Sequence, residues 1–526
     1  MVTTAEPTQS TSSDYCGDGA VGNGLCSIPE FCCSRWGFCG EGEGYCEKGT
    51  TSTPVTPTSS PTAEALSPTT TAPQPTASNY CGDGVVGNGR CLVPKLCCSK
   101  WGFCGEGEEH CGGRIVPTPI SLPPALTEPS APAMTNISPP PTPAESSDSS
   151  LVAPIPFPDY ANGDCSGVDN VMSVNFGYYQ SWSVYRQPGC NPVAPSDIDV
   201  AGNKYTHLTY TFASINENFE LEPWGGDADV ETPQYRAFND LKQVYPGLRT
   251  LIAVGGWTFN DPGATQTRFS DTARTAESRA SFAASCVRFC REHGFDGIDL
   301  DWEYPADTSR GGQASDKVNF GLLVGAIRAA FNDAADDLTL SMAVPAAEWR
   351  LVEGYDLLAL AEGLDFFNIM SYDIHGAWDR PRIIGANADM PAIFKSIGYF
   401  RDVGIPSNKM VLGLAAYGHT YNLADPSCAT AGCAFSSAGS GGCAGAPGFM
   451  PYFTINENIQ GGNFKSLTFN SSSGTMELVG NTNELVCFDN PATMQIKYDF
   501  AAKACFRGLM WWAVDMMKEP IELGPS

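Results

Sequence analysis

The stretch Phe295-Asp296-Gly297-Ile298-Asp299-Leu300-Asp301-Trp302-Glu303-Tyr304 sets acids against apolar residues in strict alternation from Ile298 to Glu303. A strand turns successive side chains to opposite faces. Asp299, Asp301 and Glu303 therefore share one side, and Ile298, Leu300 and Trp302 the other. Three carboxyls so close cannot all ionise freely, and repulsion together with burial raises at least one pKa. A calcium loop would need more oxygen ligands and a turn glycine inside the run. A solvated strand end would not need such regular alternation. The run reads as a buried barrel strand ending in acid–base chemistry, with no metal and no cofactor expected. A protonated acid beside ionised neighbours is the arrangement that glycosidic bond cleavage requires.

Seven further apolar, β-rich runs flank this one. The eight lie near 171–179, 207–214, 250–255, 297–302, 338–344, 366–371, 410–415 and 508–514. Helical patterns fall between several of them, at 276–293, 317–332, 391–403 and 492–504. Eight strand–helix repeats predict an α/β fold, a (β/α)8 TIM barrel over residues 171–520, with functional residues at the C-terminal ends of the strands. The last two runs are too far apart for one helical connection. Residues 421–490, rich in Gly, Ser and Cys, predict a small α+β insertion subdomain forming a wall of the cleft.

Ahead of the barrel, six cysteines recur at a spacing of 65 residues. Cys16, Cys26, Cys32, Cys33, Cys39 and Cys46 return as Cys81, Cys91, Cys97, Cys98, Cys104 and Cys111. Each unit (14–47 and 79–112) is below the size at which an apolar core suffices, so disulfides must hold it. The adjacent Cys-Cys pair and the absence of Cys-x-x-Cys knuckles weigh against zinc. Residues 48–78 and 113–165 are Thr/Pro/Ser-rich linkers that cannot bury enough surface to fold. Asn136 and Asn470 begin N-x-S sequons.

The chain carries 58 Asp+Glu against 30 Lys+Arg. That balance argues against nucleic acid and anionic membranes as partners, and no run is apolar enough to span a bilayer. Twenty-one cysteines point to an oxidising compartment. A secreted monomer is expected, although residues 1–13 show no signal-peptide core. Nine cysteines fall outside the repeats, so one is expected to be free or the chain incomplete. Cys286 and Cys290, one helical turn apart, should not bond to each other.

The pattern Asp296-x-x-Asp299-x-Asp301-x-Glu303 resembles the signature of glycoside hydrolase family 18 chitinases, and the resemblance runs from about Val171 to about Lys518. It implies that Glu303 protonates the leaving oxygen and later activates water. It implies that Asp301 orients the substrate's 2-acetamido group, which itself attacks the anomeric carbon with net retention. Asp299 would share a proton with Asp301, Asp296 would be structural, and Tyr372 would hydrogen-bond the acetamido oxygen. Tyr178, Phe212, Trp257, Met370, Asp373, Tyr417 and Trp512 would line the subsites, while Trp511 would face the other side of its strand. His419 stands where many relatives have Arg. The segment Asp425-Pro426-Ser427-Cys428, with Cys433 and Cys443, looks like fungal members.

The repeated units resemble hevein-like, type 1 chitin-binding modules. That resemblance implies disulfides Cys16–Cys33, Cys26–Cys39 and Cys32–Cys46, and Cys81–Cys98, Cys91–Cys104 and Cys97–Cys111. It implies sugar contacts from Ser34, Trp36, Phe38 and Tyr45, and from Ser99, Trp101, Phe103 and His110. Aromatic faces stack on the apolar faces of sugar rings. The partners expected are chitin and chitooligosaccharides. Competing readings are a non-catalytic chitin lectin or toxin carrier subunit, and an endo-β-N-acetylglucosaminidase acting on N-glycans.

Overall fold

The computed structural model describes residues 155–224, 228–443 and 445–525, together with four two-residue strands nearer the N-terminus. In the first repeat Cys32–Cys33 pairs antiparallel with Cys39–Gly40, placing Cys32 opposite Gly40. In the second, Cys97–Cys98 pairs with Cys104–Gly105, placing Cys97 opposite Gly105. The cysteine repeat is thus also a repeat of backbone register. The module disulfides, the sugar-contact residues Ser34, Trp36, Phe38, Tyr45, Ser99, Trp101, Phe103 and His110, Asn136 and nearly all of both linkers lie outside the described residues.

Eight strands close into a barrel: β1 (Val174–Gln180), β2 (His207–Ile215), β3 (Arg249–Gly255), β4 (Gly297–Asp301), β5 (Thr339–Pro345), β6 (Phe366–Met370), β7 (Met410–Ala415) and β8 (Gly508–Trp512). Each pairs in parallel with the next, and β8 pairs with β1. Strands covered on both faces read as nearly continuous apolar runs, and every residue of β2, β5 and β7 is buried.

Local chemistry sets the helix ends. Ala276–His293 starts behind Thr275, whose hydroxyl accepts the Ser278 N–H, and stops at Gly294 with φ 82°. Met390–Val403 starts behind Asp389, which accepts the Ala392 N–H, with Pro391 in its first turn. Pro491–Lys503 starts behind Asn490, which accepts the Thr493 N–H. These caps satisfy N–H groups that a helix start leaves unpaired. The helix Ala228–Val244 is missed by the sequence pattern, because Pro233 interrupts it. Between β1 and β2 the chain forms only 3-10 turns, at Ser181–Tyr185, Pro188–Cys190 and Pro195–Asp197. Prolines 188, 192 and 195 remove the donors that an α-helix there would need.

The insertion begins one residue after β7, slightly earlier than the sequence suggests. Tyr417–Leu423 pairs with Phe435–Ala438, Phe449–Pro451 and Glu484–Phe488, and Thr475–Gly480 and Phe464–Asn470 extend the antiparallel sheet. The helix Tyr452–Gln460 completes it. Tyr421, Phe435, Leu485 and Cys487 form one small core with Ile384; Ile455, Leu478, Val486 and Phe488 form a second.

Three disulfides form here: Cys165–Cys505, Cys190–Cys443 and Cys428–Cys433. Cys286, Cys290 and Cys487 are free and buried. Three thiols are therefore unpaired, more than the one that parity requires, and Cys286 and Cys290 do not bond to each other. Among the described residues no helix is long and apolar enough to cross a membrane.

Under the insertion, Lys497 is fully buried and donates to Asp489 at 2.7 Å and to the Gly474 carbonyl at 3.2 Å. Removing one partner strands a buried charge. Asp489→Ala should cost about 3–5 kcal/mol in urea unfolding, and Asp489→Ala combined with Lys497→Met should recover most of it. A single variant within about 1 kcal/mol of the parent would show that the pair carries no such constraint.

Candidate active site

β4 carries its acids up the barrel wall in graded exposure: Asp299 0 %, Asp301 4 % and Glu303, just beyond the strand, 8 %. Asp299 is enclosed by three donors. Tyr178 Oη donates to Oδ2 at 2.8 Å, and Ser341 Oγ and Asn368 Nδ2 donate to Oδ1 at 2.5 and 3.2 Å. Asn368 also donates to the Tyr178 hydroxyl at 2.7 Å. Burial pushes the Asp299 pKa up to about 6, against the pull of these donors. Among the described hydrogen bonds none joins Asp299 to Asp301, so the expected shared proton has no bond in this geometry.

Asp301 Oδ1 is buried without a hydrogen-bond partner. Burial, then the nearby Glu303 and Asp299 charges, drives its pKa well above the carboxylate range. Burial likewise lifts Glu303 to about 7; Tyr304 opposes that rise, Asp373 adds to it, and Arg310 and Arg350 oppose it. A carboxyl that keeps its proton near neutrality can act as a general acid. Asp296 stays at the foot of β4, where its Oδ2 accepts the Thr250 N–H at 2.9 Å and Lys242 Nζ at 2.9 Å. These bonds tie it to β3 and to the helix Ala228–Val244.

Neighbouring strand ends press close to these acids. Gly255 and Gly256 close β3 at φ 105° and 83°. A Cβ at Gly255 would lie 2.3 Å from the Asp301 carbonyl oxygen, and one at Gly256 would lie 2.5 Å from the Phe212 ring. Only glycine fits both the backbone and the space. Three non-proline peptides at strand ends are cis: Thr211–Phe212, Glu303–Tyr304 and Trp512–Ala513.

A cleft of about 630 Å³ opens above the acids. Tyr178, Phe212, Trp257, Met370, Tyr372, Asp373 and Trp512 line it with Asp301 and Glu303. Trp512 lies against Phe212 and Tyr178, with ring centroids 5.9 and 5.8 Å apart. Trp511 turns the other way and donates to Asn175 Oδ1 at 2.9 Å. Tyr372 Oη reaches only the Met510 sulfur, at 3.7 Å, a weak acceptor. Tyr417, expected on the cleft wall, is instead buried at 1 % exposure. Its hydroxyl donates to Asp373 Oδ1 at 2.6 Å, and His419 Nε2 contacts the same oxygen at 2.8 Å. The insertion's first strand therefore clamps Asp373 from behind.

Several site residues escape a motif reading. Ser341 and Asn368 hold Asp299; their signal is a lone polar residue in a buried strand. Trp182, Tyr185, Trp224 and Glu231 also line the cleft, but they sit on segments outside the barrel strands. Arg310 stacks over Trp257 at 3.8 Å and donates to the Glu303 carbonyl at 2.9 Å.

A family model, Glycosyl hydrolases family 18, matches residues 174–516, from the first residue of β1 to just past β8. The chain belongs to glycosyl hydrolase family 18. An endochitinase of Manduca sexta is 31% identical over 356 residues, covering 64% of this chain and 63% of that protein, so the match leaves over a third of that relative unspanned. Human chitinase-3-like protein 2 is 29% identical over 357 residues, 64% of this chain and 85% of the relative. The Ostrinia furnacalis Group IV chitinase, solved in complex with allosamidin, superposes with TM-score 0.60 at 29% identity, covering 65% of this chain and 92% of that one. Human YKL-39, a pseudo-chitinase with retained chitooligosaccharide binding, superposes with TM-score 0.58 at 29% identity, over 65% and 93%. Family 18 thus includes both hydrolases and binders, and the acids must decide between them.

The raised Glu303 pKa has a consequence for stability. Between its ordinary 4.5 and about 7, folded Glu303 holds a proton that the unfolded chain has released. The folded state then binds more protons, so stability falls as pH rises through that window. Asp299 adds a fall between 3.8 and about 6. Glu303→Gln should be more stable than the parent by roughly 3 kcal/mol at most near pH 8, and no more stable near pH 4. Urea titrations at both pH values check this; an equal difference at both would refute the burial argument.

Proposed function

We propose that this family 18 protein is a secreted chitinase that cleaves β-1,4 links between N-acetylglucosamine units with retention, using the substrate's own acetamido group. The observation that carries the reading is Glu303, buried at the cleft beside the unpartnered Asp301 oxygen, where burial lifts its pKa to about 7. Asp299 is occupied by three donors and cannot reach a sugar. Asp301 Oδ1 is free to take the acetamido N–H. Tyr372, held only by a sulfur, would gain by donating to the acetamido oxygen.

The steps balance without a protein nucleophile. The acetamido oxygen bonds to the anomeric carbon as the glycosidic C–O bond breaks, and Glu303 gives its proton to the departing oxygen. Glu303, now a carboxylate, takes a proton from water, whose oxygen opens the oxazolinium ion from the leaving-group face. Aromatic faces at Trp257, Trp512 and Phe212 hold the sugar rings. Chitinase relatives support this reading. The pseudo-chitinase relative makes a binding-only protein the alternative, and the complete Asp299/Asp301/Glu303 set weighs against it.

Glu303→Gln should reduce turnover of a chromogenic chitooligosaccharide by about 10²–10⁴-fold, the usual worth of a general acid. Retention of more than about a tenth of activity would remove Glu303 from that role. NMR of the first products should show the β-anomer, and an initial α-anomer would refute retention.

We further propose that the two N-terminal repeats bind chitin and tether the barrel to solid substrate. Linking weak binders raises effective concentration to roughly the millimolar range, but only where one substrate offers many sites. Trp36→Ala with Trp101→Ala should leave chitotetraose hydrolysis unchanged and slow release of sugar from crystalline chitin. Equal rates on the solid would show that the repeats serve another ligand.

A further inference from the structure

The two ends of the barrel differ in charge. Acids line the cleft at the C-terminal ends of the strands, and no Lys or Arg does. At the opposite end a recess of about 480 Å³ is lined by Arg249, Arg328, Lys409 and Arg507, with Asp337 and Asp365. The fold gathers these charges from distant parts of the chain. Arg249 is the first residue of β3, and Asp365, Lys409 and Arg507 immediately precede β6, β7 and β8. Arg328 comes from the helix Asp316–Ala334. Parallel strands all start at one end of a barrel, so their first residues form one floor.

Both acids are already taken. Asp337 pairs with Arg249 at 2.7 Å, and Asp365 with Arg328 at 2.6 Å. Lys409 has only the carbonyls of Ala361 and Leu364, at 2.7 and 2.6 Å. Arg507 has less: its guanidinium lies over the Phe366 ring at 5.7 Å, and among the described residues its side chain meets no acceptor. A solvated basic rim would leave its nitrogens to water. Here Nε of Arg249 and Nε of Arg507 are buried without a partner, and among the described residues no other arginine nitrogen is so placed. The Nη groups of Arg507 therefore carry its hydrogen-bonding capacity into the recess. His207, buried on the same floor, registers the excess charge. Burial, then Arg249 and Arg507, push its pKa down to about 3, so it stays neutral.

A planar guanidinium without an acceptor matches an oxyanion, and charge-assisted bonds to one are about twice as strong as neutral ones. A carboxylate presents two oxygens in one plane. A phosphate or sulfate group presents three or four in space, and so can meet cations from the starts of two neighbouring strands, β7 and β8. We propose that the barrel floor is a binding site for a phosphate or sulfate group, free or carried on a small sugar, held by Arg507 and Lys409. The site does not depend on the chitinase reading, because it lies at the end of the barrel away from Asp301 and Glu303. An anion there offsets the surplus positive charge and stabilises the folded state that binds it. The chain's formal net charge of −28 opposes an anion from a distance, which keeps the affinity modest.

Thermal unfolding of the full-length protein at neutral pH tests this. Sodium phosphate, exchanged for sodium chloride at constant ionic strength, should raise the midpoint along a saturable curve with half-saturation of about 1 mM, the reach of two charge-assisted bonds. Glucose 6-phosphate, with glucose as its neutral control, separates the two sources. Half-saturation no better than that of phosphate assigns the site to the free ion, and binding tighter by about tenfold assigns it to the sugar ester. Arg507→Gln should weaken phosphate by about tenfold or more. Arg507→Lys keeps the charge but loses the fork, and should weaken it less. Arg274→Gln, at an exposed arginine of the helix Arg268–Arg274, should leave the curve unchanged. Each variant's midpoint in chloride alone shows whether its fold is intact; if Arg507→Gln does not fold, Arg507→Lys carries the test. No saturable rise beyond chloride, or a folded Arg507 variant that binds phosphate as the parent does, overturns the proposal.

Discussion

One fully buried carboxylate ties the catalytic face together. Asp299 on β4 accepts from Tyr178 on β1, Ser341 on β5 and Asn368 on β6. A buried charge is tolerated only when its lone pairs are met, so these strands must keep their register for the acid to remain. With Asp299 held, the period of the strand puts Asp301 and Glu303 above it on the same face. The same enclosure keeps Asp299 away from substrate, and leaves its two neighbours in a dry setting that favours their protonated forms.

Around that centre the site is assembled from segments that the barrel only supports. β3 ends in two glycines because the Asp301 backbone and the Phe212 ring leave no room for a side chain. The insertion reaches back through Tyr417 and His419 to fix Asp373. The turn-rich segment after β1 carries Trp182 and is pinned at two points just beyond it. Arg186 donates to buried Asp515 at 2.6 Å, and Cys190 is bonded to Cys443 of the insertion. Hydrogen bonds to a buried charge and covalent links both limit movement of the sugar-stacking surfaces.

Much of this was legible from the chain. The eight strands appear as apolar runs because a parallel barrel buries both faces of each strand. Four helices show within one or two residues of their ends, because Thr275, Asp389 and Asn490 cap their starts and Gly294 and Gly404 stop two of them. The acids of β4 show by alternation alone. Less visible were Ser341 and Asn368, single polar residues whose partner is more than forty residues away in sequence for one and nearly seventy for the other. Tyr417 shows why an aromatic residue at a strand end is not by itself a sugar platform. Its hydroxyl was needed by Asp373, and its ring lies on Phe449 at 4.3 Å.

By itself the sequence determined the barrel, the position of the insertion, the repeated modules' cysteine frame and the identity of the acids. All of these rest on periodicity and spacing, which are local properties of a chain. The tertiary structure alone decided which acid is enclosed and which is left unpartnered, which thiols pair, and that Glu231 enters the cleft. Those outcomes depend on burial and on donors brought from distant strands, and no spacing along the chain records them.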